Sequence, residues 1–160
     1  MIRTPAAIPV FILMALALST TLRADVETHG DADSGATPLI TQMLRMQYYA
    51  HKLGLAVQAE NRDLQAFYAH ELEEVIEAVA EIERYEDVAV SELIATTLEP
   101  AFAELEAALD GGRPSTISTK YDALLDSCNS CHENAERAFI VIQRNDHNPY
   151  AQAFSPPPER

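Results

Sequence analysis

Residues 117–132 read ISTKYDALLDSCNSCH, and this stretch decides the fold. Ile117, Tyr121, Leu124, Leu125 and Cys128 recur at helical spacing on one face, which predicts an amphipathic helix. Its end carries Cys128, Asn129, Ser130, Cys131 and His132, the pattern C-x-x-C-H, which is the attachment signature for a c-type haem. Two thiols at this spacing reach the two vinyl groups on one edge of a porphyrin, while the next residue brings an imidazole under the iron. Cys128 and Cys131 are therefore the candidate thioether positions and His132 the candidate proximal ligand. C-x-x-C alone also serves thioredoxin-like redox sites and half of many zinc sites, so its surroundings have to discriminate.

The chain has 160 residues, enough for one domain with a modest core, and its 11 Lys+Arg face 25 Asp+Glu for a net charge of −14. A phosphate backbone would be repelled, which argues against nucleic acid as a partner. Trp is absent, Gly is scarce, and Ala, Leu and Glu abound, a composition that points to an all-α protein. Both Cys residues belong to the one motif, so no disulfide framework competes for them.

Arg3, the apolar run 6–18 and the small residues leading to Ala24 make a secretory signal peptide with cleavage expected after residue 24. The run is short for a membrane span, which needs about 20 residues. Cleavage removes Arg3 and Arg23 and no acid, leaving 9 basic and 25 acidic side chains and a mature charge of −16. Export to the periplasm, with no membrane span afterwards, suits covalent haem attachment, which takes place on the outer side of an energy-transducing membrane. Residues 25–37 are polar and acidic and read as a flexible lead-in.

Four helices are expected across 38–142. The first starts with Thr37 as N-cap and Pro38 at the first helical position. Its stripe is Leu39, Met43, Met46, Ala50, Leu53 and Val57, widened by Leu44, Tyr48, His51 and Leu55. Asn61 ends it and caps the second, 62–84, whose inner residues are Leu64, Tyr68, Leu72, Val75, Val79 and Ile82. Glu71, Glu74, Glu77 and Glu81 form its solvated face. The third starts near Ser91, is interrupted at Pro100 and stops at Asp110-Gly111-Gly112. The fourth, from Ser115 or Thr116, carries C-x-x-C-H with no strand nearby, which disfavours a thioredoxin-like use of the thiols.

Four amphipathic helices behind a signal peptide, with a single C-N-S-C-H late in the fourth, resemble the class II c-type cytochromes, the cytochrome c′ and cytochrome c-556 group. The resemblance covers residues 38–139, and its diagnostic part is the haem motif and its placement. It implies an antiparallel four-helix bundle holding one covalent haem c, with Cys128 and Cys131 as attachment points and His132 as the proximal ligand. Members of that group are often dimers, so a homodimer is one assembly open to the chain, although the stripe on helix one serves an internal core equally well. The sequence departs from the family at Glu136, where a basic residue often follows the ligand by four positions and Arg137 stands one further on. It departs again in its irregular, Pro-rich C-terminal extension, 143–160.

The ligand across the iron decides the function. In an antiparallel bundle the start of helix one lies beside the end of helix four, which puts His132 level with Leu44 to Met46 at about 1.5 Å per residue. Met46 or Met43 is then the first candidate distal ligand, an open face the second and His51 the third. His51 and His70 are nearly equidistant from Asn61, which makes them, with Glu74, a candidate second metal site. A Met ligand makes a relatively high-potential electron carrier. The leading expectation is a periplasmic electron-transfer cytochrome whose acidic surface meets a basic-faced redox partner. The alternatives are a five-coordinate haem protein that binds NO or CO, and a haem-free helical bundle holding a metal through Cys128, Cys131 and His132. No Ser-His-Asp arrangement, phosphate loop or carboxylate pair argues for an enzyme, beyond the weak peroxidase-like activity open to any exposed haem. The apolar run 139–142 is expected to pack on the bundle or the haem edge, with Tyr150 and Phe154 folding back.

Overall fold

The computed structural model describes residues 38–145 and 147–158, so the signal peptide 1–24, the lead-in 25–37 and the Thr37 cap lie outside the described residues. Helix α1 is Leu39–Gln58 and α2 is Arg62–Ala80. Helix α3 is composite, with α-helical Val90–Leu93 and Glu99–Leu109 on either side of a π-helical segment, Ile94–Leu98. Helix α4 is Pro114–Asn134. The fold is all-α, and no strand occurs among the described residues.

Local chemistry accounts for the joints. Pro38 is extended at ψ 144°, one residue outside the helix rather than at its first position, and its carbonyl accepts from the amides of Thr41 and Gln42. Asn61 caps α2 by accepting from the Leu64 amide at 3.2 Å, as its position predicts. Glu60, at φ 52°, makes the left-handed step between the two helices. Helix α2 stops at Ala80 instead of Arg84 because the chain turns away, and the Ser91 amide takes the Ile82 carbonyl at 3.1 Å. Gly111, at φ 81°, provides the left-handed residue after α3.

Pro100 has no N–H, so the Thr96 carbonyl loses its partner one turn on. The helix adapts upstream, with the Glu99 amide reaching back to the Ile94 carbonyl, an i to i−5 bond. The break expected at Pro100 is therefore a widened turn just before it, and it brings both Ile94 and Leu98 into the core.

The core centres on Leu53, Leu72, Val75, Val79, Leu105, Ile117, Tyr121 and Leu124. Each such aliphatic side chain contributes about 1.5–3 kcal/mol on burial. The inner stripe of α1 holds at Met46, Ala50, Leu53 and Val57; of the widening, Leu55 is buried and His51 half-buried, but Leu44 is 60 % and Tyr48 42 % exposed. On α2, Tyr68, Leu72, Val75 and Val79 are buried, and Glu74, Glu77 and Glu81 are solvated.

Helices α1 and α4 meet closely at one level. The buried Tyr121 hydroxyl donates to the Ala50 carbonyl at 2.9 Å, and the Tyr121 ring lies against Gly54. The carbonyl satisfies a phenol that would be costly to bury alone. Burial also raises the Tyr121 pKa, so the phenol remains a donor.

After α4 the chain returns along the helices as a strap. Arg144 bonds Asp122 at 2.6 Å and lies over the Tyr121 ring, and Gln58 donates to the Asn145 carbonyl at 2.7 Å. Lys52, ringed by Tyr48, Tyr68 and Tyr150, donates to Gln152 at 2.8 Å. Asn61 donates to the carbonyl of buried Phe154 at 2.9 Å. Tyr150 and Phe154 do fold back. Within the run 139–142, however, only Ile142 is half-buried: Phe139, Ile140 and Val141 are 79 %, 42 % and 68 % exposed.

A Cβ at position 54 would collide with the hydroxyl and ring of Tyr121. Gly54→Ala should therefore destabilise the chain by about 1–3 kcal/mol, despite the ~1 kcal/mol by which Ala is the better helix former. The readout is a lower denaturant midpoint at unchanged slope; a midpoint at or above wild type would refute the contact.

Candidate functional site

Cys128, Cys131 and His132 occupy the last two turns of α4, and the way that helix ends shapes their surroundings. The Ala135 amide bonds the Cys131 carbonyl at 2.9 Å and the Arg137 amide bonds that of His132 at 2.7 Å, with Glu136 left-handed at φ 58° between them. This cap reverses the chain. A further turn, from the Ile140 amide to the Arg137 carbonyl at 2.8 Å, lays residues 140–142 back along α4.

The reversal places the Ile140 carbonyl 2.9 Å from His132 Nδ1. A carbonyl can only accept, so the proton of the neutral ring sits on Nδ1 and the lone pair on Nε2. Asn129, between the cysteines, bonds Ile142 twice: its Oδ1 accepts from the Ile142 amide at 2.7 Å and its Nδ2 donates to the Ile142 carbonyl at 3.0 Å.

Two cavities of about 310 and 200 Å³ open at this end of the fold. Ile40, Met43, Ile94, Cys131, His132 and Ile140 line both, so they form one continuous apolar trough. Leu39 and Val90 extend its outer part; Met46, Leu98, Cys128 and Ile142 extend its inner part. Clefts that take small molecules span about 300–1,000 Å³ and are mainly apolar with a few fixed polar groups, a description this trough meets. Beside it lies a polar recess of about 530 Å³, lined by Glu86, Asp87, Glu92, Glu136 and Arg137 among others. Arg137 lines both the recess and the outer trough and pairs with Glu86 at 2.8 Å. The one-residue offset from Glu136 to Arg137 thus still delivers a guanidinium beside His132, because the left-handed step at Glu136 absorbs it.

The trough brings together the two cysteines, His132, Met43 and Met46. His51 is not among its lining residues. Ala50 lies opposite Tyr121, so Cys128 is level with about Met43 and His132 with about Leu39, nearer the start of α1 than the expected level of Leu44 to Met46. That register leaves His51 about three turns from His132. His51 Nε2 is buried with no hydrogen-bond partner, and burial lowers its pKa. The second metal site suggested by His51, His70 and Glu74 does not form either. His70 is exposed, 3.8 Å from Glu73 and 3.5 Å from Glu74, and no group of three or more His, Cys, Asp or Glu able to hold a metal occurs among the described residues.

Burial pushes the Cys128 thiol up to about 12, with the neighbouring Cys131 adding to the rise. Burial raises Cys131 as well, and its Sγ–H donates to the Leu93 carbonyl at 3.6 Å. Both sulfurs therefore remain neutral thiols at neutral pH. That is the opposite of a thioredoxin-like pair, whose nucleophile is a low-pKa thiolate. The cysteines are free rather than disulfide-bonded.

The roles of the Asn129 side chain and the Ile140 carbonyl are not recognisable from sequence: the run 139–142 is expected at the bundle or the haem edge, but nothing local marks that carbonyl or its link to His132. No family model, curated protein sequence or solved structure matches the chain.

Alkylation of the haem-free folded chain at pH 8 should be slow at both cysteines, slower at Cys128, and should accelerate more than tenfold on unfolding. Fast modification of the folded chain would show that the thiols are exposed as thiolates.

Proposed function

We propose that this chain is an exported, periplasmic electron-transfer cytochrome of the cytochrome c′ type. It would be an antiparallel four-helix bundle carrying one haem c on Cys128 and Cys131, with His132 as the proximal ligand. The observation that carries the reading is His132 itself: its Nδ1–H is engaged by the Ile140 carbonyl, which leaves Nε2 as a free donor on a trough both cysteines line. A metal-ligating imidazole ordinarily has its second nitrogen held in this way.

The residues present fit the group. The apolar walls suit a porphyrin face, and each thiol can add across a vinyl double bond, sulfur to one carbon and hydrogen to the other, with nothing released. Neutral, reduced thiols are the form that addition needs. Arg137, at the mouth, offers a cation to a propionate. When bound, haem iron would supply one-electron redox chemistry; the chain's part is to hold it, exclude water and set its axial donors.

Met43 is the better-placed distal candidate because it lines both parts of the trough, while Met46 lines only the inner one. The charge of −14, or −16 after cleavage, suits a partner with a basic docking face, and their association should weaken with salt. Ile40 and Leu44, exposed on the rim of the trough, would give that partner an apolar contact next to the haem edge. The second reading is a five-coordinate haem that binds CO or NO, favoured by the apolar inner wall of Ile94, Leu98 and Ile142. A metal held by the cysteines without haem is disfavoured by their raised thiols.

Expression with a c-type maturation system should yield covalent haem in wild type and none in the Cys128→Ala/Cys131→Ala chain. Optical spectra should show a methionine-to-iron band in the oxidised protein, lost in Met43→Ala and kept in Met46→Ala, with a lower reduction potential in the former. Fast, stoichiometric CO uptake by the reduced wild type without loss of an axial ligand would transfer the assignment to the gas-binding reading. Absence of covalent haem would sink both.

A further inference from the structure

We infer that Asn129, a variable position inside the C-x-x-C-H pattern, is a positioning residue for His132, acting through the returning chain. Its side-chain amide and the Ile142 peptide exchange two hydrogen bonds, 2.7 Å from the Ile142 amide and 3.0 Å to the Ile142 carbonyl. This copies the paired ring that two backbone strands make, and it fixes the strap residue in register and direction rather than merely near the helix. The exchange also settles which end of the Asn129 amide is which, because the Ile142 amide can only donate and its carbonyl only accept.

The geometry explains why a clamp at Ile142 places Ile140. In extended chain, alternate carbonyls point the same way, and residues two apart are separated by about 6.6–6.8 Å. On the helix, Asn129 and His132 are three apart and neighbours on one face. An extended segment running back along α4 therefore sets the Ile142 carbonyl on Asn129 and the Ile140 carbonyl on His132, and the observed bonds of 3.0 and 2.9 Å match this. Beyond the turn at Arg137, Ile140 and Ile142 line the trough while Val141 between them is 68 % exposed, the alternation of an extended segment. Apart from this clamp and the His132 bond itself, the segment is held by the turn from Arg137 and, further on, by Arg144 on Asp122 and Ser118 and by Gln58 on the Asn145 carbonyl. Removing the clamp frees the Ile140 carbonyl to move while Arg144 still holds the strap.

The consequence at His132 is chemical. With Ile140 in place the Nδ1–H tautomer is selected and the ring is held in one orientation. A hydrogen bond accepted from Nδ1–H makes Nε2 a stronger donor. On the haem reading, on which this part of the inference rests, a stronger proximal donor stabilises ferric iron and lowers the reduction potential. Asn129 would then tune the potential without touching the haem.

The test uses the full chain in two forms. In the haem-free chain, nitrogen NMR of His132 should show the Nδ1–H tautomer in wild type, a large loss of it in Asn129→Ala, and an intermediate loss in Asn129→Asp, which keeps only the bond from the Ile142 amide. Arg144→Ala is the control for strap docking in general: it should lower the thermal midpoint and keep the tautomer. In the matured chain, Asn129→Ala should raise the potential of the molecules that carry haem. An Nε2–H tautomer in wild type, populations unmoved by Asn129→Ala, or an equal change in Arg144→Ala would overturn the positioning role. If the tautomer responds as stated while wild type attaches no haem, the positioning role stands and the cytochrome reading falls. If haem is attached but tautomer and potential ignore Asn129→Ala, the reverse holds.

Discussion

One hydrogen bond sets the geometry on which everything at the cysteine end depends: the Tyr121 hydroxyl on the Ala50 carbonyl. A phenol this deeply buried needs a partner, and a helix carbonyl can supply one only if the two backbones come close. Gly54 permits that approach. The contact fixes how far α1 is slid along α4, and hence that Met43 rather than His51 shares a trough with His132. Towards the end of α4 no such contact occurs among the described residues, and the trough lies there between the helices.

Two departures from regular helix complete the trough. The π turn forced upstream of Pro100 adds a residue to one turn of α3 and brings Ile94 and Leu98 to the same wall. The left-handed step at Glu136 ends α4 and sends the chain back to form the opposite rim. Both are local adjustments of backbone hydrogen bonding.

Much of this was legible in the sequence where the signal was local. The stripe from Met46 to Val57, the Asn61 cap, the Gly111 stop and the helical setting of Cys128 and Cys131 all follow from spacing and cap chemistry. What was missed depends on bonds between distant residues. Helix α2 ends early because Ser91 takes the Ile82 carbonyl. Tyr48, expected in the stripe, instead stacks edge-on with Tyr150 of the strap, 5.5 Å between ring centres. The place of His51 depends on the Tyr121 register, and the Asn129–Ile142 pair joins positions thirteen apart with no periodicity to announce it. Pro100 marked a break, but a lost amide acts on the carbonyl before it, so the break lies upstream.

The strap also carries information about time. Its anchors join Lys52 to Gln152 and Asn61 to Phe154, separations of 100 and 93 residues, among the most distant side-chain bonds in the molecule. Loops of that length are closed late, since nothing rewards the closure until the elements at both ends exist. The helices can assemble while residues 140–154 still trail, and during that interval the trough lacks the rim that Ile140 and Ile142 provide.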